Sequence, residues 1–217
     1  VGVEASQAYG LSELRLAGAS ATLPLALGTL AASGRVYGVD GYSETRLAGG
    51  LSREVKLSTS RRLAVGLAVG YDGVNIDGFG SSGSVHLAVG VQGDVVPTVR
   101  AGVALRNVLG LADDTEADLT RPLGAVPSVA AGVAYRPGDR ALLAFDLVQD
   151  LDGEISARAG LEARVAEPLA LRAGVGTAPV TYSAGIGVIA GPLAADVGVE
   201  MHESLGLTPA VSIQVGF

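Results

Sequence analysis

The sequence contains no cysteine and no tryptophan, and aromatic residues make up only 4% of its 217 residues. Without cysteine, the chain cannot form a disulfide framework, a thiolate metal site, a cysteine nucleophile or a lipidated N-terminal cysteine. Charged residues are scarce at 17%, and the net charge of −7 leaves no basic footprint for nucleic acid. Intrinsic disorder is excluded because it requires low hydrophobicity and high charge, whereas the mean hydropathy is +0.42.

The chain also lacks a long apolar run. A transmembrane helix needs about 20 mostly apolar residues, but the most apolar windows, 21–32 and 183–195, are shorter and contain Pro24 or Pro192 with several glycines. Residues 1–4 show neither the basic nor the apolar region of a signal peptide. The sequence therefore excludes a helical membrane protein, and its length and even composition predict a single domain over 1–217.

What the chain has in abundance is alternation. In the segment 63–71, leucine, valine and tyrosine at odd positions alternate with alanine and glycine at even positions, and the same pattern recurs in 85–92, 155–165 and 211–217. Strict alternation indicates β-strands because side chains at i and i+2 share a face. The alternating runs predict about fourteen strands, near residues 1–8, 10–22, 25–34, 42–54, 61–71, 84–92, 97–108, 126–136, 140–148, 154–165, 169–176, 181–189, 193–202 and 209–217.

An even number of strands of about ten residues is typical of an all-β, up-and-down antiparallel transmembrane β-barrel. The connections support this fold, because even-numbered strands are followed by short turns at 23–24, 136–139, 166–168 and 190–192. Longer links, at 35–41, 72–83 and 110–125, follow odd-numbered strands, and the link 55–60 is an exception. A soluble all-β protein is the alternative, but it would carry more charge on its second face, which here is mostly glycine, alanine and serine.

Several short stretches resemble the PorV/PorQ family of small outer-membrane barrels, which is associated with type IX secretion and related to long-chain fatty-acid transporter barrels. These stretches are 9–14 (YGLSEL), 38–44 (GVDGYSE), 104–110 (ALRNVLG), 131–136 (AGVAYR), 143–147 (LAFDL), 158–162 (RAGLE), 171–176 (LRAGVG) and the terminal Phe217. The resemblance covers most of the chain and implies a fourteen-stranded barrel in the bacterial outer membrane with a transport or secretion-accessory role.

If the apolar face meets lipid, the alternate face points into the lumen. The charged residues and histidines predicted there are Glu13, Arg15, Glu44, Arg46, His86, Arg100, Arg106, Asp146, Arg158, Glu162, Arg164, Arg172, Asp196, Glu200 and His202. Two interpretations remain open. Arg100, Arg106, Arg158, Arg164 and Arg172 could form a basic ladder that selects solutes. Alternatively, they could pair structurally with Asp146, Glu162, Asp196 and Glu200, because inward charges need partners.

Small inward residues leave space in the predicted lumen; they are Gly66, Ala68, Gly70, Gly132, Ala134, Gly185 and Gly187. This space could hold a plug, lipid tails or a partner segment. The alternative is that glycine and alanine merely relieve crowding on a strongly curved sheet.

Catalysis and metal binding have weak support. The chain has two histidines and no Gly-x-Ser-x-Gly motif, so we expect no enzyme and no cofactor. Asp72, Asn75 and Asp77, and separately Asp150, Asp152 and Glu154, suggest calcium, but neither set has EF-hand spacing. Ordinary turn chemistry accounts for both sets.

The expected function is therefore that of an outer-membrane barrel which passes small or amphipathic solutes or binds a secretion partner through its extracellular loops. Two alternatives are a structural barrel that self-assembles side by side into a lattice or tube and a soluble all-β protein. The expected partners are membrane lipid and either further copies of the chain or a secretion protein, with no nucleic acid. Both termini are expected on the periplasmic side.

Overall fold

The computed structural model describes residues 1–11, 13–58, 61–108, 111–112, 126–151 and 153–216. Fourteen long strands run through these residues: β1 Gly2–Gln7, β2 Arg15–Leu25, β3 Gly28–Val39, β4 Tyr42–Ser58, β5 Arg61–Ile76, β6 Gly80–Val96, β7 Val99–Arg106, β8 Ser128–Gly138, β9 Ala141–Asp150, β10 Ile155–Ala166, β11 Leu169–Gly176, β12 Thr181–Ala190, β13 Leu193–His202 and β14 Gly206–Val215. A two-residue strand, Leu111–Ala112, also pairs with β6.

The fourteen strands form one closed antiparallel sheet. Each strand is hydrogen-bonded to the strands before and after it in the chain, and β14 returns to β1 through pairs such as Val3 with Ile213. This confirms the predicted up-and-down barrel and its strand number. The described part contains one helical segment, the 3-10 turn Ala8–Gly10, so it holds no helix long and apolar enough to cross a membrane.

The register separates an outer and an inner face. Across β4, β5 and β6, Leu47, Tyr71 and Val85 lie side by side on the outer face, whereas the neighbouring row of Ala48, Gly70 and His86 lies on the inner face. Along β5 the outer apolar run from Leu63 to Tyr71 is ~26 Å long at ~3.3 Å per residue. On a tilted strand, that length roughly spans the ~25 Å apolar band of outer-membrane barrels.

The described residues form no packed hydrophobic core. No large side chain in the described residues is fully buried, while Leu67, Val69 and Val103 on the outer face are each about half exposed. The accessible surface is 14073 Å², against about 9,200 Å² expected for a compact soluble protein of this mass. In the described residues, each strand makes its substantial backbone contacts with other strands through its hydrogen-bonded neighbours. The structure therefore does not favour the soluble alternative.

Several predicted links are wrong. Pro24, expected in a turn, pairs with Thr29 inside the β2–β3 hairpin, because proline is tolerated near a strand end, where its missing N–H costs little. Most of 35–41 and 72–83 is strand, leaving turns at 40–41 and 77–79, and β4 continues to Ser58 within the expected link 55–60. In 72–76 the outer positions become Gly73 and Asn75 while Val74 and Ile76 face inward, so the outward hydrophobic alternation stops although backbone pairing continues. Apart from 111–112, the link 110–125 lies outside the described residues, as does Phe217.

Candidate functional site: the lumen

The inner face carries all nine charged residues singled out from the sequence: Arg100, Arg106, Asp146, Arg158, Glu162, Arg164, Arg172, Asp196 and Glu200. Their register partners place them on the same face: Arg100 faces Asp94, Arg106 faces Ser128, Asp146 faces Arg158, Glu162 faces Arg172, Arg164 faces Ala170, Asp196 faces Ser212, and Glu200 faces Ser183. Arg15 was expected inside but shares the outer face with Gln7, and Glu13 lies in the turn before β2.

Arg172 joins three strands. Its Nε donates to Glu162 Oε2 on β10 at 2.8 Å, and its Nη1 donates to Asp196 Oδ1 on β13. The intervening strand β12 presents Gly187 at this point, where a Cβ would collide with both the Asp196 carboxylate and the Arg172 guanidinium. The missing side chain lets the ion pair lie flat against the wall instead of pointing into the lumen. This part of the expected structural pairing is therefore present.

A second pair crosses a strand in the same way. Arg35 on β3 donates from Nε to Glu4 Oε1 on β1 at 2.6 Å, and β2 between them presents Gly18. A Cβ on Gly18 would come within 2.7 Å of that carboxylate oxygen. Two of the lumen's ion pairs thus depend on a glycine in the strand between the partners.

A third cluster lies on β4 to β6. Asp72 Oδ1 is 3.6 Å from Arg46 Nε, and Asp72 Oδ2 is 3.5 Å from His86 Nδ1. Asp72 is only 6% exposed, and the imidazole of His86 fills the space above Gly70. This cluster argues against the first calcium set, because Asp72 is engaged on the inner face while Asn75 faces outward. Asp152 of the second set lies outside the described residues.

A fourth cluster lies near the rim that carries the chain ends. Asp94 accepts from Arg100, with Nη2 to Oδ1 at 2.8 Å, and from Arg62, with Nε to Oδ2 at 3.2 Å. Arg62 Nη1 also lies 3.8 Å from Glu54 Oε1. Arg100, predicted as part of a basic ladder, is therefore neutralised by a carboxylate that the sequence reasoning did not select.

Five of the nine predicted lumen charges have no ion-pair partner among the described residues. Within the described ranges, no oppositely charged group lies within 4.0 Å of Arg106, Arg158, Arg164, Asp146 or Glu200. Asp146 and Arg158 face each other across the β9–β10 pair, yet the Asp146 carboxylate is turned to the other side, over Gly132 on β8. The predicted ladder is thus divided into the paired Arg100 and Arg172 and the unpaired Arg106, Arg158 and Arg164.

One patch of the inner face is made mostly of small residues. This small-residue wall lies on β4 to β8 and encloses a space of about 670 Å³. Its members are Gly50, Ala64, Gly66, Ala68, Ala88, Gly90, Gly102, Ala104, Ala130, Gly132 and Ala134. Two more spaces, of about 690 and 640 Å³, lie beside the charged clusters on the rest of the inner face. The lumen therefore has an apolar patch on β4 to β8, with charged clusters at both ends of the same strands and on the rest of the inner face.

The prediction from sequence missed six residues of the lumen ion pairs: Glu4, Arg35, Glu54, Arg62, Asp72 and Asp94. The alternation of apolar and polar residues could have identified Glu4 and Arg62 as inward-facing, because they alternate with the outward-facing Val3 and Leu63. Arg35 and Asp72 fell in segments expected to be links, so their strands were not extended far enough. No group of three or more metal-ligating residues occurs in the part of the chain that the structure describes.

No family model matches the sequence, and no curated protein matches it. Among solved structures, the barrel is similar to a variant of the TodX monoaromatic hydrocarbon channel, with a TM-score of 0.71, 9% identity and coverage of 100% of this chain and 89% of that one. It is also similar to the CymD monoaromatic hydrocarbon channel, with a TM-score of 0.65, 13% identity and coverage of 100% and 87%. It is similar as well to the Acinetobacter baumannii outer membrane protein Omp33, with a TM-score of 0.62, 11% identity and coverage of 100% of this chain and 97% of that one. The chain therefore has the fold of outer-membrane channel barrels.

Proposed function

We propose that this protein is a bacterial outer-membrane channel that passes small amphipathic solutes. The observation that carries the proposal is the lumen, in which the Arg35–Glu4 and Arg172–Asp196 pairs lie along the wall over glycines and spaces of about 640 to 690 Å³ lie beside the inner face. Ion pairs that lie along the wall keep the lumen wide, and their charges keep it hydrated. Membrane lipid covers the apolar outer face, and both chain ends lie at the periplasmic rim.

The small-residue wall and the charged clusters around it suit solutes that have both polar and apolar parts. Hydrocarbon groups are excluded from water and gain from contact with the small-residue wall. Polar groups keep water or charged partners around it. Because the wall consists of glycine and alanine, it offers contact without deep pockets that would trap a solute.

The test is conductance of the purified chain in a planar lipid bilayer. An open lumen predicts stable steps of ion current that scale with salt concentration. The matched variants are Gly66→Leu with Gly90→Leu, at inward positions where a new Cβ has room, and Gly49→Leu on the outer face. The inward pair should lower conductance and Gly49→Leu should not. A correctly inserted barrel that carries no current would contradict the proposal.

The passage mechanism uses no catalytic group. The solved structures named above are channels or outer-membrane proteins, which supports a non-enzymatic role. Ser84 and His86 share a face of β6, but the His86 ring lies over Gly70 and its Nδ1 is directed to Asp72. Ser84 Oγ has no hydrogen-bond partner among the described residues, so His86 is not placed to act as its general base.

A secretion-accessory role of the PorV/PorQ kind is the second candidate, supported by the short sequence stretches given above. The expected docking loops are reduced, since 35–41 and 72–83 consist largely of strand. Side-by-side association of barrels likewise stays a prediction. Purification from native membrane distinguishes these roles: a stoichiometric secretion protein supports the first, an ordered array of copies supports the second, and isolated barrels support neither.

A further inference from the structure

Three charged side chains without ion-pair partners line one space beside the small-residue wall. Arg106, Asp146 and Arg158 all line the 670 Å³ space, and the fourth charged side chain there, Arg100, is held by Asp94. Arg106 lies on β7, Asp146 on β9 and Arg158 on β10, with β8 between the first two. The space thus offers two cations and one anion beside an apolar surface.

The lack of pairing at Asp146 and Arg158 contrasts with five other lumen arginines. Arg35, Arg46, Arg62, Arg100 and Arg172 each lie within 4.0 Å of a carboxylate. Asp146 and Arg158 are register partners and yet diverge, because Gly132 on β8 gives the Asp146 carboxylate space away from Arg158. The divergence presents a negative and a positive group separately to the same space.

We infer that this space binds a zwitterionic solute with an apolar side group, of the kind represented by an apolar amino acid. The solute carboxylate binds Arg106 or Arg158, its ammonium group binds Asp146, and its side group lies on the small-residue wall. Guanidinium groups suit carboxylates because their N–H donors match the two oxygens. The inference rests on the proposed channel function and names its substrate class.

An anionic solute is a poorer match, because Asp146 would repel it, and a cationic solute would meet two unpaired guanidinium groups. Only a solute with both charges satisfies both signs. A small zwitterion without a side group would leave the apolar wall in contact with water, so it should bind more weakly than one with a side group.

The test is uptake of labelled solutes into phosphatidylcholine vesicles containing the purified barrel, measured as a function of solute concentration. The set is phenylalanine, 3-phenylpropionate without the ammonium group, phenethylamine without the carboxylate, and glycine without the ring. We expect phenylalanine to have the lowest half-saturation concentration, and each missing group to raise it about fivefold, the effect of one partly solvated interaction.

Two variants assign the charges. Asp146→Asn should raise the half-saturation concentration for phenylalanine about fivefold and leave that for 3-phenylpropionate unchanged or lower. Arg158→Gln should raise the half-saturation concentrations for both phenylalanine and 3-phenylpropionate. The matched control is Arg164→Gln, which removes another unpaired lumen arginine, one that does not line this space, and should change neither value.

The results separate this inference from the proposed function. Equal half-saturation for all four solutes, in a barrel that still conducts salt, would overturn the zwitterion site and leave the channel intact. Uptake of 3-phenylpropionate matching that of phenylalanine would assign the space to anions instead. A barrel that conducts no ions would overturn both proposals.

Discussion

Arg35 and Glu4 form an ion pair of 2.6 Å although they lie on β3 and β1, with the whole of β2 between them. The pair exists because β2 presents Gly18 where the two side chains cross. Arg172 and Asp196 repeat the arrangement from β11 to β13 across Gly187. Glycine in this lumen therefore has a specific role: it lets charged side chains pair along the wall and so keeps the passage clear.

Replacing Gly18 with valine should break the Arg35–Glu4 pair. The new side chain occupies the crossing point, so both charges must move into the lumen. Because the pair is partly exposed, we expect a loss of at most about 1 kcal/mol in unfolding free energy, together with reduced conductance. Urea unfolding in vesicles and bilayer recordings measure the two effects. Gly66→Ala, where a Cβ meets only ordinary contacts, is the control. A normal conductance for Gly18→Val would show that the pair does not keep the lumen open.

Replacing Arg172 with glutamine should make the channel more selective for cations. The substitution leaves the Glu162 and Asp196 carboxylates without their shared guanidinium, so negative charge gains influence over passing ions. We expect the cation-to-anion permeability ratio to rise about twofold, as measured from the reversal potential in a salt gradient. Arg53→Gln removes the same charge from the outer face and should not change the ratio. An unchanged ratio for Arg172→Gln would mean that permeating ions do not pass this cluster.

An introduced charge should destabilise the barrel far more on the outer face of a strand than on its inner face. Val89→Arg places a guanidinium on the outer face of β6 and should destabilise the inserted barrel by about 2–4 kcal/mol, since it must enter lipid. The neighbouring Ala88→Arg faces the lumen, where water solvates it, and should cost much less. Urea unfolding of the two variants in vesicles measures the difference in their free energies of unfolding. Equal destabilisation would contradict the assigned inner and outer faces.

Much of the fold was predictable from the sequence because lipid and lumen impose a strict period of two. Segment 63–71 identifies a strand and its outer face without further information. The extension of this strand to Ile76 was not predictable in this way: the outer positions become Gly73 and Asn75 while the apolar Val74 and Ile76 face inward, so the outward alternation stops although backbone pairing continues.

The site was less accessible to such reasoning. Parity placed Arg100, Asp146 and Arg172 on the inner face, but ion pairing depends on which residues stand two strands apart and on what lies between them. Arg172 reaches Asp196 through the absence of a side chain at Gly187. That relationship requires the register of three strands, which no single segment of sequence contains.

The most direct test of the open lumen uses the absence of native cysteine. Ala104→Cys introduces one thiol on the inner face, where alanine lines the small-residue wall, and Leu105→Cys introduces one on the outer face. During bilayer recordings, a charged water-soluble thiol reagent should modify Ala104→Cys and lower the single-channel current in one step, and should leave Leu105→Cys unchanged. If Ala104→Cys is inaccessible, or if its modification leaves the current unaltered, the lumen is not the path through this barrel.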